Sequence, residues 1–266
     1  MNVTNGKRET VVLDSPKQNL PNKPIRLQRY LAECGLGSRR ACEQIIAQGV
    51  VSVDGKPVTT QGVCIHPFKQ QILVHKKCVR PQEKLYILLN KPTGVLCTSK
   101  DPQGRRIFRD LVKDLPSYNQ DLPSRLYTAG RLDLNSEGLV FITNDGNLAY
   151  QLTHPKHHIP RRYHVWINRP LTAQQILRFK KGIPSSEGLL TADRVIRKTK
   201  KGICYEITLL QGKNRQIRRM MKAVHIEINR LKRIAIGPLQ LGSLKVGAWR
   251  HVKAKELQAA GLKVKG

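Results

Sequence analysis

The chain has 266 residues, 39% of them hydrophobic, and carries 48 Lys plus Arg against 18 Asp plus Glu, a net charge of +30. That length allows one large domain or two unequal ones with a sizeable core. The charge excess calls for a polyanionic partner, nucleic acid ahead of an anionic membrane, and no apolar run reaches the ~18 residues that span a bilayer.

Six cysteines, Cys34, Cys42, Cys64, Cys78, Cys97 and Cys204, contain no Cys-x-x-Cys pair. Their scatter argues against a zinc site or a disulfide framework and for reduced thiols in a cytoplasmic protein. His154, His157 and His158 cluster in His-Pro-Lys-His-His, but beside lysine and arginine they make a poor cation site, so no metal is expected. Residues 1–24 read as a basic tail, with no apolar stretch of the kind a secretory signal needs.

Residues 25–72 read as a small module. Leu27, Tyr30, Leu31 and Cys34 have helical spacing, and Gly35 and Gly37 end that helix. Ser38 caps a second helix, Arg39 to Gln48. Val50–Val53 and Lys56–Val58 form a hairpin around Asp54-Gly55. Arg26, Arg29, Arg39 and Arg40 lie on the helical faces and suit phosphate contact. Residues 73–84 read as a linker, although Ile72-Leu73-Val74 could close the module as a strand.

A second domain, 85–252, opens with the apolar strand Leu85–Leu89 and the turn Asn90–Gly94. A short helix Ile107–Leu111, a polar insert Pro116–Ser124 and a strand at Leu126-Tyr127 follow. Next comes Gly130-Arg131-Leu132-Asp133-Leu134-Asn135-Ser136-Glu137-Gly138, a glycine-bounded loop running into the apolar Leu139–Thr143. The spacing then predicts a helix over Gly146–Leu152, an alternating strand Arg161–Ile167, a helix capped by Thr172 as far as Lys181, and a strand Cys204–Leu210. A turn at Gly212-Lys213-Asn214 leads into a helix whose basic face is Arg215, Arg218, Arg219 and Lys222. Short strands follow around Glu227–Ile234, with Trp249-Arg250 near the end and 253–266 as a tail. Many strands with few helices predict α+β with a largely antiparallel, mixed sheet.

The aspartate in the glycine-bounded loop is the most informative residue, because a carboxylate entering a core is costly unless it is paired. Taken alone, Asp133 can pair with Arg131 or cap the Leu134–Gly138 turn, Tyr163 can be core filler, and Arg218 can be a surface phosphate contact.

Two resemblances add to these readings. Ile25-Arg26-Leu27-x-x-Tyr30-Leu31, Gly35-Leu36-Gly37-Ser38-Arg39-Arg40 and Ile45 through Val58 resemble the S-four-like RNA-binding domain. Gly130-Arg131-Leu132-Asp133-x-x-Ser136-x-Gly138-Leu139, Tyr163 in its basic-basic-aromatic strand, and Gly212-x-Asn214-Arg215-Gln216-x-Arg218-Arg219-Met220 resemble the motifs of bacterial ribosomal RNA pseudouridine synthases with such an N-terminal domain. Leu89-Asn90-Lys91-Pro92-x-Gly94 and Gly247-x-Trp249-Arg250 match that branch's entry and ending.

The resemblance implies that Asp133 is the catalytic nucleophile, attacking uridine at the anomeric carbon or at the base. It implies that Tyr163 stacks on the flipped base and assists proton removal from C5, that Arg218 pairs with Asp133, and that Arg131 holds RNA or fills the flipped base's place. Arg215 and Arg219 are expected to join Arg26, Arg29, Arg39 and Arg40 in binding RNA. The implied partner is ribosomal RNA or a pre-ribosomal particle, large-subunit RNA slightly favoured, with no cofactor, no membrane and a monomeric enzyme. Many relatives of that branch carry a glutamate and a lysine or threonine just before the tyrosine, where this chain has Arg161-Arg162. A non-catalytic RNA-binding ribosome-assembly factor is the competing reading. A hydrolase would need a second carboxylate, for which Glu137 is the nearby candidate.

Overall fold

A computed structural model describes residues 23–115, 125–198 and 203–264. The insert at 116–124 and most of the basic tail lie outside the described residues. The chain divides into two compact units between Pro81 and Gln82.

The smaller unit runs β1 (Ile25–Arg26), α1 (Leu27–Glu33), α2 (Arg39–Ala47), β2 (Val51–Val53), β3 (Lys56–Pro57), β4 (Cys64–Ile65), β5 (Ile72–Val74) and β6 (Lys77–Cys78). Ser38 Oγ accepts from the Ala41 N–H at 3.0 Å and starts α2. Asp54 and Gly55 both have positive φ, 49° and 78°, the pairing of a tight hairpin turn between β2 and β3. Leu27, Tyr30 and Leu31 of α1 and Cys42 and Ile46 of α2 bury against Val51, Ile65 and Ile72. The expected linker at 73–84 is corrected here. Leu73 and Val74 pair with β2, and β6 pairs back onto β5, so apolar residues at 72 and 74 carry the sheet into that stretch.

The larger unit contains β7 (Tyr86–Lys91), β8 (Tyr127–Ala129), β9 (Glu137–Thr143), α3 (Gly146–Thr153), β10 (Arg161–Ile167), α4 (Ala173–Lys181), β11 (Arg194–Arg197), β12 (Cys204–Leu209), α5 (Gln216–Lys222), β13 (Ile228–Ile236), β14 (Leu239–Gln240), β15 (Trp249–His251) and α6 (Ala254–Ala259). Among the described residues, nine strands make one sheet, ordered β11-β12-β10-β13-β9-β7-β15, with β14 on β13 and β8 on β9. Its pairings are antiparallel except β9 with β13, which is parallel and joins the two halves through two residue pairs, Lys232 with Glu137 and Arg233 with Gly138. The unit is α+β and largely antiparallel, as its alternating strands imply.

One face of the sheet, carrying Ile87, Leu89, Val140, Ile142, Val165 and Ile207, packs under Phe179 of α4 and Met220 and Met221 of α5. On the other face Leu88, Leu139 and Phe141 pack against Leu148 and Leu152 of α3 and Leu257 of α6. The expected tail at 253–266 is therefore corrected. Leu257, Leu262 and Val264 are core residues, and Gln151 is bonded twice to the Lys263 backbone. The helix expected at 107–111 is a short 3-10 turn, Phe108–Leu111, and the short strands expected around 227–234 are one nine-residue strand. Among the described residues no helix is long and apolar enough to cross a membrane.

Candidate active site

The loop before β9 sits over the narrow join between the sheet halves. Four strands place one row of residues beneath it. In the register of the sheet, Lys91 on β7 is opposite Gly138 on β9, Gly138 is opposite Arg233 on β13, and Arg233 is opposite Tyr163 on β10. The row needs glycine at its second place. Gly138 has φ 104°, and a Cβ there would run into the Arg233 backbone, 2.7 Å from its nitrogen. Between β10 and β13 the register shifts at Arg162/Tyr163, leaving Ile234 as an extra residue, a bulge of the kind that re-aims side chains beside active sites.

Three cations hold this loop and the turn beside it by their carbonyls. Lys91 is fully buried, and its Nζ donates to Pro92 O and Val95 O at 2.8 Å and to Leu134 O at 3.5 Å. Burial pushes the Lys91 ammonium down from the lysine range, while the nearby Cys97, Asp133 and Glu137 push it back up. Arg233 is 2% exposed, and donates from Nε to Leu139 O at 2.8 Å and from a terminal nitrogen to Arg131 O at 3.3 Å. It thus clasps both ends of the loop. Arg218, on α5, donates to Asn135 O at 2.7 Å and to Ser136 Oγ at 3.1 Å. The turn is closed by Ser136 N–H to Asp133 O at 3.1 Å and by Gly94 N–H to Leu134 O at 2.9 Å. The charged donors at the Arg131, Asn135 and Leu139 carbonyls are worth more than neutral ones, so the loop is fixed before any ligand arrives.

Asp133 projects from this braced loop with its side chain 29% exposed. Arg218 Nε lies 3.6 Å and an Arg215 terminal nitrogen 3.7 Å from its Oδ2. Among the described residues these are its ion pairs, and Arg131, the neighbour that sequence spacing offers as a partner, is exposed. Arg218 is the more buried of the two, and burial lowers its guanidinium while Asp133 raises it. Arg215 stands at the start of α5 with φ 46°, a left-handed conformation that a non-glycine residue adopts at a cost of roughly 1–3 kcal/mol.

Asp133, Arg131, Tyr163, Arg215 and Arg218 line one cleft of about 320 Å³. Tyr163 is 9% exposed, packed in the core and lining the cleft. Arg161 and Arg233 line it as well. Arg161 bends back to donate to Leu152 O at 3.1 Å, at the end of α3, while Arg162 lies beside Glu206 at 3.9 Å. Arg219 pairs with Glu187 at 2.9 Å, outside the set lining the cleft. Glu137 is bound by Arg230 at 2.6 Å and is 8% exposed, which removes the free second carboxylate that a hydrolase would use. In the smaller unit Arg26, Arg39 and Arg40 are exposed, whereas Arg29 is paired along its helix with Glu33 at 2.9 Å.

Lys91 and Arg233 are the site residues that sequence reasoning missed. Lys91 stood in the Asn-Lys-Pro motif without a role, and Arg233 interrupts the alternation of β13 where an apolar residue is expected.

The RNA pseudouridylate synthase family matches residues 85–223, and the S4 domain matches residues 25–65. An uncharacterized RNA pseudouridine synthase of Aquifex aeolicus is 37% identical over 90% of this chain and 96% of its own length. Ribosomal large subunit pseudouridine synthase B of Bacillus subtilis is 34% identical over 88% and 94%. The dual-specificity RNA pseudouridine synthase RluF of Escherichia coli K12 is 32% identical over 90% and 79%. Among solved structures, a pseudouridylate synthase superposes with a TM-score of 0.61 at 26% identity, covering 89% of this chain and 99% of that one. The chain belongs to the RNA pseudouridylate synthase family.

Proposed function

We propose that this protein isomerises uridine to pseudouridine in ribosomal RNA, in the cytoplasm, with Asp133 as the nucleophile. The observation that carries the reading is the placement of a braced, arginine-paired carboxylate and an aromatic ring in one cleft. A protein retained only as an assembly factor would have no need of all three of Asp133, Tyr163 and Arg218 at one site. Large-subunit RNA is the favoured substrate, by likeness to the Bacillus subtilis large-subunit enzyme.

The target base leaves its stack at a cost of a few kcal/mol, and an aromatic neighbour offsets part of that. Asp133 then attacks the uridine, at the anomeric carbon or at the base, and the glycosidic bond breaks. The uracil turns within the cleft and rejoins the sugar through C5 as the bond to Asp133 breaks; C5 then loses a proton with help from Tyr163, and the freed N1 gains one. Arg218 and Arg215 pair with Asp133 and hold it aimed at the uridine. Arg131, at the exposed mouth, holds the RNA backbone or fills the space of the flipped base. Every atom returns to the product, so the isomerisation consumes no redox partner and no group donor. Arg26, Arg39, Arg40 and Arg215 contact phosphates, and the enzyme works as a monomer.

Pseudouridines mapped in ribosomal RNA from cells with and without the protein test the reading. One or more sites, in large-subunit RNA, should lose the modification. An identical map in both strains would overturn it.

A further inference from the structure

We propose that the exposed end of α3, where Tyr150, His154, Lys156 and His157 gather, is a stacking platform for an unpaired RNA base flanking the target uridine. The proposal rests on the RNA-modifying role given above and adds a subsite to it.

The patch is built from rings that hold one another in place. Tyr150 is 44% exposed, and residues 154–158 are all exposed. The His154 ring lies 4.5 Å and the His157 ring 5.6 Å from the Tyr150 ring, and Lys156 Nζ stands 4.8 Å over it. His154 Nδ1 accepts from the Lys156 N–H at 3.3 Å, which fixes the turn that presents them. Among the described residues, Tyr150 is the one exposed large apolar side chain with ring contacts. Aromatic rings kept at the surface beside a cation suit a base and its phosphate, because every base has a π-face and stacks without regard to sequence. Partial desolvation pushes the His157 imidazole down, with the charges of Lys156, His154 and Lys263 adding to the effect.

Charge and position favour RNA as the occupant. From Gly146 to Ser186 the chain has no Asp or Glu, so a phosphate backbone running past α3 meets no carboxylate from that stretch. The platform also adjoins the cleft. Tyr150, Thr153 and His154 stand at i, i+3 and i+4, on one side of the helix, and Thr153 lines the cleft with Asp133. Arg161 ties the two together, lining the cleft while donating to the Leu152 and Thr153 carbonyls of α3. A nucleotide next to a uridine seated at Asp133 therefore has an aromatic surface within one helical turn of the cleft wall.

The test uses the full chain and a fluorescein-labelled oligouridylate. Tyr150→Leu keeps an apolar side chain at an exposed position and removes the ring. Its Kd for the oligomer should rise about five- to thirty-fold, and Tyr150→Trp should restore it to within about two-fold. Lys156→Gln should raise Kd about two- to three-fold and flatten the salt dependence. An iodouridine-substituted oligomer should cross-link to the peptide containing Tyr150 to His157. Unchanged affinity of Tyr150→Leu, or cross-links confined to other peptides, would overturn the platform. Pseudouridine formation in ribosomal RNA is read on the parent protein in parallel. A lost platform with activity intact removes only the subsite, whereas an inactive parent counts against the enzymatic reading itself.

Discussion

In the larger unit Arg218 and Arg233 turn toward the carbonyls of the Asp133 loop and Lys91 chiefly toward those of the adjoining turn, whereas in the smaller unit Arg26, Arg39 and Arg40 face solvent. The first set neutralises nothing outside the protein. Its charges meet backbone dipoles and one carboxylate, and they fix where Asp133 stands. The second set leaves its charge for a partner. A net charge of +30 thus serves two purposes that a residue count merges, shaping a site and holding a polyanion.

Substitutions can separate the two uses. The inner set should govern turnover and stability, the outer set affinity. Arg218→Met removes both the counter-ion of Asp133 and the donor to Asn135, and kcat should fall about 10²–10³-fold with RNA affinity within about two-fold. A variant that lost affinity and kept kcat would place Arg218 with the outer set. Tyr163→Phe keeps the ring and loses the hydroxyl, and single-turnover rates should drop by roughly ten- to a hundred-fold. A rate equal to the parent's would exclude proton transfer through that oxygen. Arg233→Met strips donors from the Arg131 and Leu139 carbonyls, so urea unfolding should show a loss of about 2–4 kcal/mol. An unchanged midpoint would mean that the loop does not depend on the clasp. For the outer set, Arg39→Ala with Arg40→Ala should leave unfolding within about 0.5 kcal/mol of the parent. The slope of log affinity against log salt should shrink by about one to two. Equal slopes would show that those arginines do not touch phosphate.

Much of the site could be read before the fold was known, because its residues sit in short runs of chemical contrast. Asp133 lies between glycines ahead of an apolar strand, Tyr163 lies in a seven-residue alternation, and Arg218 lies on a basic helical face. The partner of Asp133 was legible only through the family resemblance, which pointed to Arg218, and not through local spacing. Two residues of separation offered Arg131, and the ion pairs come from α5, more than eighty residues on. Lys91 and Arg233 were hidden for a related reason. Their importance lies in register, the row Lys91, Gly138, Arg233, Tyr163 across four strands, and no local spacing encodes which strands become neighbours. An inward arginine also broke the apolar pattern of β13, so one long strand read as several short ones. At the C-terminus, Leu257, Leu262 and Val264 are too sparse among lysines to announce a core contribution, yet they close the sheet's second face.

The central claim is that the carboxylate braced by the inner cations does the chemistry while other residues hold the RNA. Pseudouridine formation and RNA affinity measured together on Asp133→Asn test it most directly, since the amide keeps the shape and loses the charge. The account predicts that turnover falls about 10⁴-fold or more while the Kd for RNA stays within about two-fold of the parent's. Pseudouridine formed at the parent's rate by this variant would contradict it.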